Sequence, residues 1–223
     1  MGRQDTSLTV MKAAFPALHG FGLAAPTHKL DVRRLLDVSL AFCLLLLLAP
    51  VMALVSLAIA LDSRGPLLFR QRRGGIIGKS FGILKFRSMH VLEDGADIVQ
   101  AGENDARITR VGRVIREFSL DELPQLFNVI AGDMSLVGPR PHAVAHDDYY
   151  GAAISNYVFR QKVRPGITGW AQVNGARGAT PTLDAMRRRV ELDAWYVVHA
   201  SLSLDLRILA RTPLAVLRSR KRP

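Results

Sequence analysis

The chain has 223 residues, enough for one sizeable hydrophobic core with an attached segment. Its 30 Lys and Arg residues outnumber 19 Asp and Glu residues, and the net charge of +11 suits anionic lipid, nucleic acid or phosphorylated substrates. The single Cys43 excludes an intrachain disulfide, and no set of Cys and His residues has zinc spacing. Basic segments interleaved with aromatic residues are absent, which argues against a nucleic-acid partner.

The first 62 residues divide into a polar arm and an apolar run. Residues 1–28 mix Gly, Pro, Ala, Thr and charges without a period, which predicts a loosely ordered arm. The run from Val38 to Leu61 carries no charge and is long enough to cross a bilayer. It could be a cleaved signal peptide, a spanning helix kinked at Pro50, a re-entrant helix, or a buried core helix. A signal peptide would be unusually long.

Charge favours the re-entrant interpretation of this run. Lys29 and two arginines flank its start, and Arg64 with three more arginines flanks its end. Basic residues stay on the cytoplasmic side, so this symmetry fits a helix whose two ends both face the cytoplasm. Pro50 supplies a break because it lacks an N–H and blocks the preceding turn. We therefore predict a re-entrant membrane helix over residues 29–62.

A β-hairpin is predicted after Asp62. The segments 66–71 and 80–89 have strand-like patterns on either side of a glycine pair. In the second segment Lys85 and Arg87 share one face of the predicted strand. Two adjacent cations there favour phosphate binding, although a solvated edge strand explains them equally well.

Residues 91–107 are acidic and polar and predict a loop with a short helix. Arg116 ends a series of three arginines at helical spacing, and an Asp–Glu pair, Asp121 and Glu122, follows it. Apolar residues then recur at helical spacing up to Gly132, a plausible helix end. Either Ser119 and Glu122 form a capping box, or Asp121 is the cap and Glu122 is free.

The remaining sequence predicts a turn, a loop and three helical segments. Arg140 lies in a proline-rich turn over residues 138–141. Residues 143–163 and 182–199 have helical patterns, and the glycine-rich segment 163–175 predicts a rigid loop between them. Residues 203–220 predict a basic amphipathic helix suited to a membrane surface or a protein partner. We expect His142 and His146 to be polar surface residues.

Several motifs together resemble the bacterial sugar transferases, the monotopic phosphoglycosyl transferases, over about residues 29–218. Many separate matches in the same order make this resemblance specific. The matching segments are Arg33-Arg34-Leu35-Leu36-Asp37, Lys85-Phe86-Arg87-Ser88-Met89, Leu120-Asp121-Glu122-Leu123-Pro124-Gln125-Leu126-Phe127-Asn128, Gly132-Asp133-Met134-Ser135, Val137-Gly138-Pro139-Arg140-Pro141 and Arg164-Pro165-Gly166-Ile167-Thr168-Gly169-Trp170-Ala171-Gln172-Val173-Asn174-Gly175.

The resemblance implies a fold and a location. It implies a mostly α-helical α+β protein with a small β-hairpin, attached monotopically to the cytoplasmic face of the bacterial inner membrane. Residues 63–223 would form the cytoplasmic catalytic domain with interfacial helices. The re-entrant helix of such proteins breaks at a proline, here Pro50, although Ala49 stands where serine is frequent. The chain resembles the short form of the family.

The resemblance also implies a reaction. A UDP-sugar gives its sugar 1-phosphate to undecaprenyl phosphate, a polyprenyl phosphate, and UMP is released. Asp121 would be the nucleophile that carries the phosphosugar, and Glu122 would hold Mg²⁺. Cationic side chains suit the diphosphate, because arginine binds phosphate oxygens bidentately and lysine offers a point charge. The candidates are Lys85, Arg87, Arg116 and Arg140.

Alternatives remain open for the donor sugar and for the class of protein. The segment around Arg177 and Gly178 resembles transferases that use UDP-glucose, and UDP-galactose is the close alternative. Such enzymes initiate exopolysaccharide or capsule units. A basic membrane-binding module without activity would explain the charge and the apolar run but not the Asp–Glu pair among arginines. A membrane phosphatase is the other alternative, and it would release inorganic phosphate from the lipid rather than consume a UDP-sugar. The sequence leaves the oligomeric state open, a homo-oligomer included.

Overall fold

A computed structural model describes residues 32–90 and 105–219, and the predicted arm and most of the acidic loop lie outside these ranges. Within them the chain is mostly helical, with two small two-stranded sheets. Three short 3₁₀ turns join these elements. The helices are α1 Val32–Asp62, α2 Arg110–Glu117, α3 Gln125–Ala131, α4 Val144–Ala153, α5 Trp170–Val173, α6 Leu183–His199 and α7 Leu202–Ser219, and the strands are β1 Leu68–Gly74, β2 Ser80–Phe86, β3 Ser135–Val137 and β4 Gly166–Thr168.

Helix α1 contains the predicted apolar run and has the length and hydropathy to cross a membrane. Most of its side chains are exposed, and Leu47 and Leu61 are 72% and 80% exposed. Pro50 lies inside the helix, and Ser56 Oγ donates 2.8 Å back to the carbonyl oxygen of Met52, a bond that favours bending. The two halves of α1 join different hydrophobic clusters.

Both ends of α1 are hydrogen-bonded to the rest of the fold. Near its start, Arg34 donates to the carbonyl oxygen of Ile130 at 3.0 Å, and Asp37 Oδ1 accepts from the backbone N–H of Leu136 at 3.0 Å. At its end, Asp62 Oδ2 accepts from the backbone N–H of Val111 at 3.1 Å. A helix of 31 residues is thus fixed to one compact unit at both termini.

The predicted hairpin is confirmed. Strands β1 and β2 pair antiparallel, with Leu68 opposite Phe86 and Gly74 opposite Ser80. Ile77 takes a left-handed conformation (φ 53°) in the connecting turn. Ile83 of β2 is buried in the core, and Lys85, two residues later on the same face of the strand, reaches the segment after α2.

The glycine-rich loop predicted over residues 163–175 is wrong in part, because it contains strand β4 and helix α5. Strand β4 pairs parallel with β3, and Val137 lies opposite Thr168. Gly138 and Gly166 approach closely: a Cβ on Gly166 would lie 2.1 Å from the Gly138 nitrogen. A side chain at Gly166 would therefore separate the two strands.

The main core lies between α1, β2, α3, β3, α6 and α7. Met134 and Val129 are fully buried at its centre, and Ile208 joins them from α7. The helical prediction for 182–199 is confirmed, with Thr182 capping α6 by accepting from the Ala185 N–H at 3.2 Å. The amphipathic helix predicted at 203–220 is present as α7, which buries Leu204 and Ile208.

Candidate active site

The Asp–Glu pair lies in a 3₁₀ turn, Leu120–Glu122, between α2 and α3. Neither predicted capping arrangement occurs. Ser119 is left-handed (φ 58°) and its side chain makes no capping bond, while α3 begins only after Pro124. Proline is suited to this position because the first helical turn needs no N–H donor from it. Both carboxylates are therefore free of helix capping.

Glu122 is the ion-paired member of the dyad. Lys85 Nζ lies 3.0 Å from Oε1, and Arg140 donates to both carboxylate oxygens, with Nη1 3.0 Å from Oε2. Burial alone would raise the pKa of Glu122, but the charges of Arg140 and Lys85 lower it well below its usual range. Glu122 is thus a permanent anion, and it fixes the two cations in place.

Asp121 is buried but differs from its neighbour in having no hydrogen-bond donor among the residues that the structure describes. Only 8% of it is exposed. Burial raises its pKa to about 6, and the charge of Lys85 opposes this shift. A carboxylate that is desolvated, unpaired and still ionised at neutral pH is a competent nucleophile.

The other two predicted arginines occupy different places. Arg116, at the end of α2, contacts Met89 with Nη1 3.7 Å from Sδ, and its charge helps to lower the pKa of Asp121. Arg87 is buried and donates through Nη2 to the backbone and side-chain oxygens of Ser63, just after α1. The fold brings Lys85, Arg116 and Arg140 around the dyad, whereas Arg87 joins the end of the apolar helix to β2.

A buried polar network supports the turn that carries Arg140. Arg160 is 4% exposed and donates to the carbonyl oxygen of Arg140, and its guanidinium also bonds Asp193, with Nε 3.1 Å from Oδ2. His142 Nδ1 lies 2.7 Å from Arg160 Nη1 and 2.6 Å from the Tyr157 hydroxyl. The prediction of His142 as a surface residue is therefore wrong. Burial lowers its pKa well below the usual range, so it is neutral.

Two arginines near the site were not among the predicted site residues: Arg177, which lies before α6, and Arg189, which lies on it. Arg177 Nη2 donates 2.6 Å to the hydroxyl of Ser119, and the charges of Glu122 and Asp121 act on it. Arg189 on α6 is buried and donates to the carbonyl oxygens of Ala176 and Gly178. The sequence pointed to this segment through its resemblance to transferases that use UDP-glucose, and Gly175 and Gly178, which both have positive φ, flank it.

The donor set for a metal ion is small. No group of three or more Asp, Glu, His or Cys residues with metal-binding geometry occurs within 32–90 and 105–219. Mg²⁺ commonly binds one or two protein carboxylates and completes its shell with water and substrate phosphates. The dyad fits this pattern with its two carboxylates, and the oxygens of Glu122 also accept from Lys85 and Arg140.

Comparisons with known proteins identify a family and several relatives. The model of the family described as bacterial sugar transferase matches residues 28–219. A UDP-glucose:undecaprenyl-phosphate glucose-1-phosphate transferase of Caulobacter vibrioides is 56% identical over 188 residues, which cover 84% of this chain and 70% of the relative. Proteins of the same name from Escherichia coli and Xanthomonas campestris pv. campestris are each 50% identical, over 81% and 88% of this chain. The match spans only 39% and 41% of those two relatives.

Proposed function

The chain belongs to the bacterial sugar transferase family, and we propose that it transfers glucose 1-phosphate from UDP-glucose to undecaprenyl phosphate, with release of UMP. The activity printed for the relatives from Caulobacter vibrioides and Escherichia coli supports this donor and acceptor. The observation that carries the proposal is the unpaired buried carboxylate of Asp121, which lies beside Glu122 and its two bound cations. The product would initiate an exopolysaccharide or capsule unit.

The site suits a reaction in two displacements. In the first, an Asp121 carboxylate oxygen attacks the phosphorus that bears glucose. The bond from this phosphorus to the bridging oxygen breaks, and UMP leaves with the electron pair. In the second, an oxygen of the lipid phosphate attacks the same phosphorus and displaces the Asp121 carboxylate. Undecaprenyl diphosphate glucose forms and the enzyme is regenerated.

The surrounding cations lower the barrier to both displacements. Lys85 and Arg140 are immobilised by Glu122, so their positive charge needs no reorganisation when phosphate charge develops. Arg116 adds a guanidinium on the α2 side of Asp121. When Mg²⁺ is bound at the dyad it would neutralise diphosphate charge and so assist departure of UMP.

Membrane attachment through a re-entrant α1 is part of the proposal. Leu46, Leu47 and Leu54 are more than 60% exposed, and burying each leucine in lipid contributes about 1.5–3 kcal/mol. Both ends of α1 bind one compact unit, which supports a helix that enters and leaves the bilayer on the same face. The active site would then lie at the cytoplasmic surface, where the lipid phosphate resides.

Product formation from purified chain tests the function. The chain in detergent, with Mg²⁺ and undecaprenyl phosphate, should convert UDP-glucose to UMP and lipid-linked glucose, and Asp121→Asn should abolish both. Preference for UDP-galactose would show that the donor sugar is galactose and would leave the proposed type of reaction unchanged. Release of inorganic phosphate from the lipid without consumption of a UDP-sugar would indicate a phosphatase, and no turnover with any UDP-sugar would favour a binding module.

Topology can be tested separately by labelling. Cysteines introduced at Asp31 and at Ser63, with Cys43 replaced, should both resist an impermeant reagent applied outside intact spheroplasts. Labelling of one site alone would indicate a spanning helix and contradict the re-entrant proposal.

A further inference from the structure

Arg177 is a cation near the dyad whose hydrogen-bond partner within the described residues is neutral. Arg116 is the other such cation. The Arg177 guanidinium donates 2.6 Å to the Ser119 hydroxyl, two residues before Asp121. Lys85 and Arg140, by contrast, are both bound to Glu122. A hydroxyl is a weak partner for a guanidinium compared with an anion, because charge-assisted hydrogen bonds are about twice as strong as neutral ones. Arg177 is thus able to exchange Ser119 for a phosphate oxygen.

The backbone on either side of Arg177 is fixed by Arg189. The Arg189 guanidinium donates to the carbonyl oxygen of Ala176 at 3.1 Å and to that of Gly178 at 2.7 Å. Arg189 is only 3% exposed, so these bonds are formed in the protein interior. One buried fork therefore holds both neighbours of Arg177 and directs its side chain towards the 3₁₀ turn of the dyad.

The backbone around Arg177 is fixed, but the glycines on either side of it border open space. Gly175 and Gly178 have φ values of 89° and 83°, and a Cβ at either glycine would meet no atom within 4 Å. Space beside the segment is therefore available to a ligand. Arg177 itself is half-buried.

We propose that Arg177 is a phosphate-binding residue of the active site and that Arg189 is the positioning residue that aims it. This inference rests on the proposed transfer of a phosphosugar. The bound phosphate oxygen belongs to the UDP-sugar diphosphate or to the lipid phosphate, and arginine chemistry suits both. Ser119 holds the guanidinium in place until the phosphate arrives.

Measuring the two half-reactions separately shows whether Arg177 binds the UDP-sugar diphosphate or the lipid phosphate. With UDP-glucose and Mg²⁺ but no lipid, the burst of UMP reports the first displacement alone. Arg177→Ala should slow the burst about ten- to hundredfold if Arg177 binds the donor diphosphate, since one charge-assisted contact is lost. An unchanged burst with slower transfer of the bound phosphosugar to undecaprenyl phosphate would assign Arg177 to the acceptor. Unchanged rates in both halves would overturn the proposal.

Control variants separate phosphate binding from structural support. Ser119→Ala removes the resting partner of Arg177 but keeps its charge, so the burst should fall less than in Arg177→Ala. An equal loss in the two variants would show that the contact is structural and would contradict the proposal. Arg187→Ala removes an exposed arginine of α6 paired with Asp184 and should be neutral.

Arg189→Lys tests the positioning role. A lysine keeps the charge but cannot donate a planar fork to two carbonyl oxygens. It should reduce the burst at an unchanged thermal midpoint, and it should add no further loss in the Arg177→Ala background. An additive loss in the double variant would contradict positioning through Arg177.

A binding measurement keeps this inference separable from the proposed function. Calorimetric titration of UDP into the full chain needs no turnover. If Arg177 binds the donor diphosphate, Arg177→Ala should weaken UDP binding about tenfold or more. If Arg177 binds the lipid phosphate, UDP binding should be unchanged, and only the transfer of the phosphosugar to undecaprenyl phosphate should be slower. A wild-type chain that binds UDP but never releases UMP from UDP-glucose would refute the function alone. Equal UDP affinity together with equal rates in both half-reactions would refute Arg177 alone.

Discussion

Adjacent carboxylates of the dyad should have opposite effects on stability when each is neutralised. Asp121 has an ordinary pKa of 3.8 that burial raises to about 6 in the folded protein. Keeping it ionised above pH 6 therefore opposes folding by about 3 kcal/mol, since each pKa unit corresponds to about 1.36 kcal/mol. Asp121→Asn keeps the size of the side chain and removes this cost, so at pH 8 the free energy of unfolding should rise by up to about 3 kcal/mol.

Glu122→Gln should instead lower the free energy of unfolding. Its pKa is lowered well below the usual range, because Arg140 and Lys85 stabilise the anion more than burial penalises it. A neutral amide would leave two partly buried cations without their partner. Removing one member of a fully buried ion pair typically costs about 3–5 kcal/mol, so the loss here should be smaller than that.

Thermal unfolding in detergent at pH 8 and pH 5 measures both effects. A change of 1 kcal/mol moves the midpoint by about 2–4 °C in a chain of this size. The gain from Asp121→Asn should shrink as the pH falls below 6, because folded wild-type Asp121 then takes up a proton; about half of the gain should remain at pH 5, since the unfolded carboxylate stays ionised down to its ordinary pKa of 3.8. Asp184→Asn, at a fully exposed carboxylate, should change neither midpoint. A destabilised Asp121→Asn at pH 8, or a gain that is equal at both pH values, would refute this reasoning.

Three further outcomes follow from the same contacts. The UMP burst should rise with pH through about 6, because Asp121 must lose its proton before it attacks; a burst that is flat between pH 5 and pH 8 would exclude this carboxylate. Arg160→Lys should lower kcat through Arg140, and a double-variant cycle with Arg140→Ala should show that the two losses are not additive. Asp37→Ala should speed hydrogen exchange at the Leu136 amide; unchanged protection there would contradict the docking of α1.

Local sequence patterns predicted the elements that depend on nearby residues. The hairpin, the stop of α3 at Gly132 and helix α6 follow from strand-like patterns, a glycine able to adopt positive φ and a helical pattern of residues. The parallel pair of β3 and β4 escaped prediction. Each strand has only three residues, and the pairing joins segments about 30 residues apart, so it leaves no periodic signal.

The candidate site was predictable only to the extent that its residues are close in sequence. Asp121 and Glu122 are adjacent, and their cationic neighbours were proposed from chemistry. Tertiary structure then separated Lys85, which reaches Glu122, from Arg87, which follows the last residue of β2 and binds Ser63. Arg177 could not be assigned from sequence, because its position depends on contacts that Arg189 makes across the fold.

The most direct test is to identify the residue that carries the phosphosugar. The chain is incubated with UDP-glucose labelled in the sugar and Mg²⁺, without lipid acceptor, then quenched in acid and digested for mass spectrometry. The account predicts label on the peptide that contains Asp121, its loss on addition of undecaprenyl phosphate, and no label in Asp121→Asn. Normal lipid-linked product from Asp121→Asn, with no label on wild-type protein at any time, would show that Asp121 is not the nucleophile.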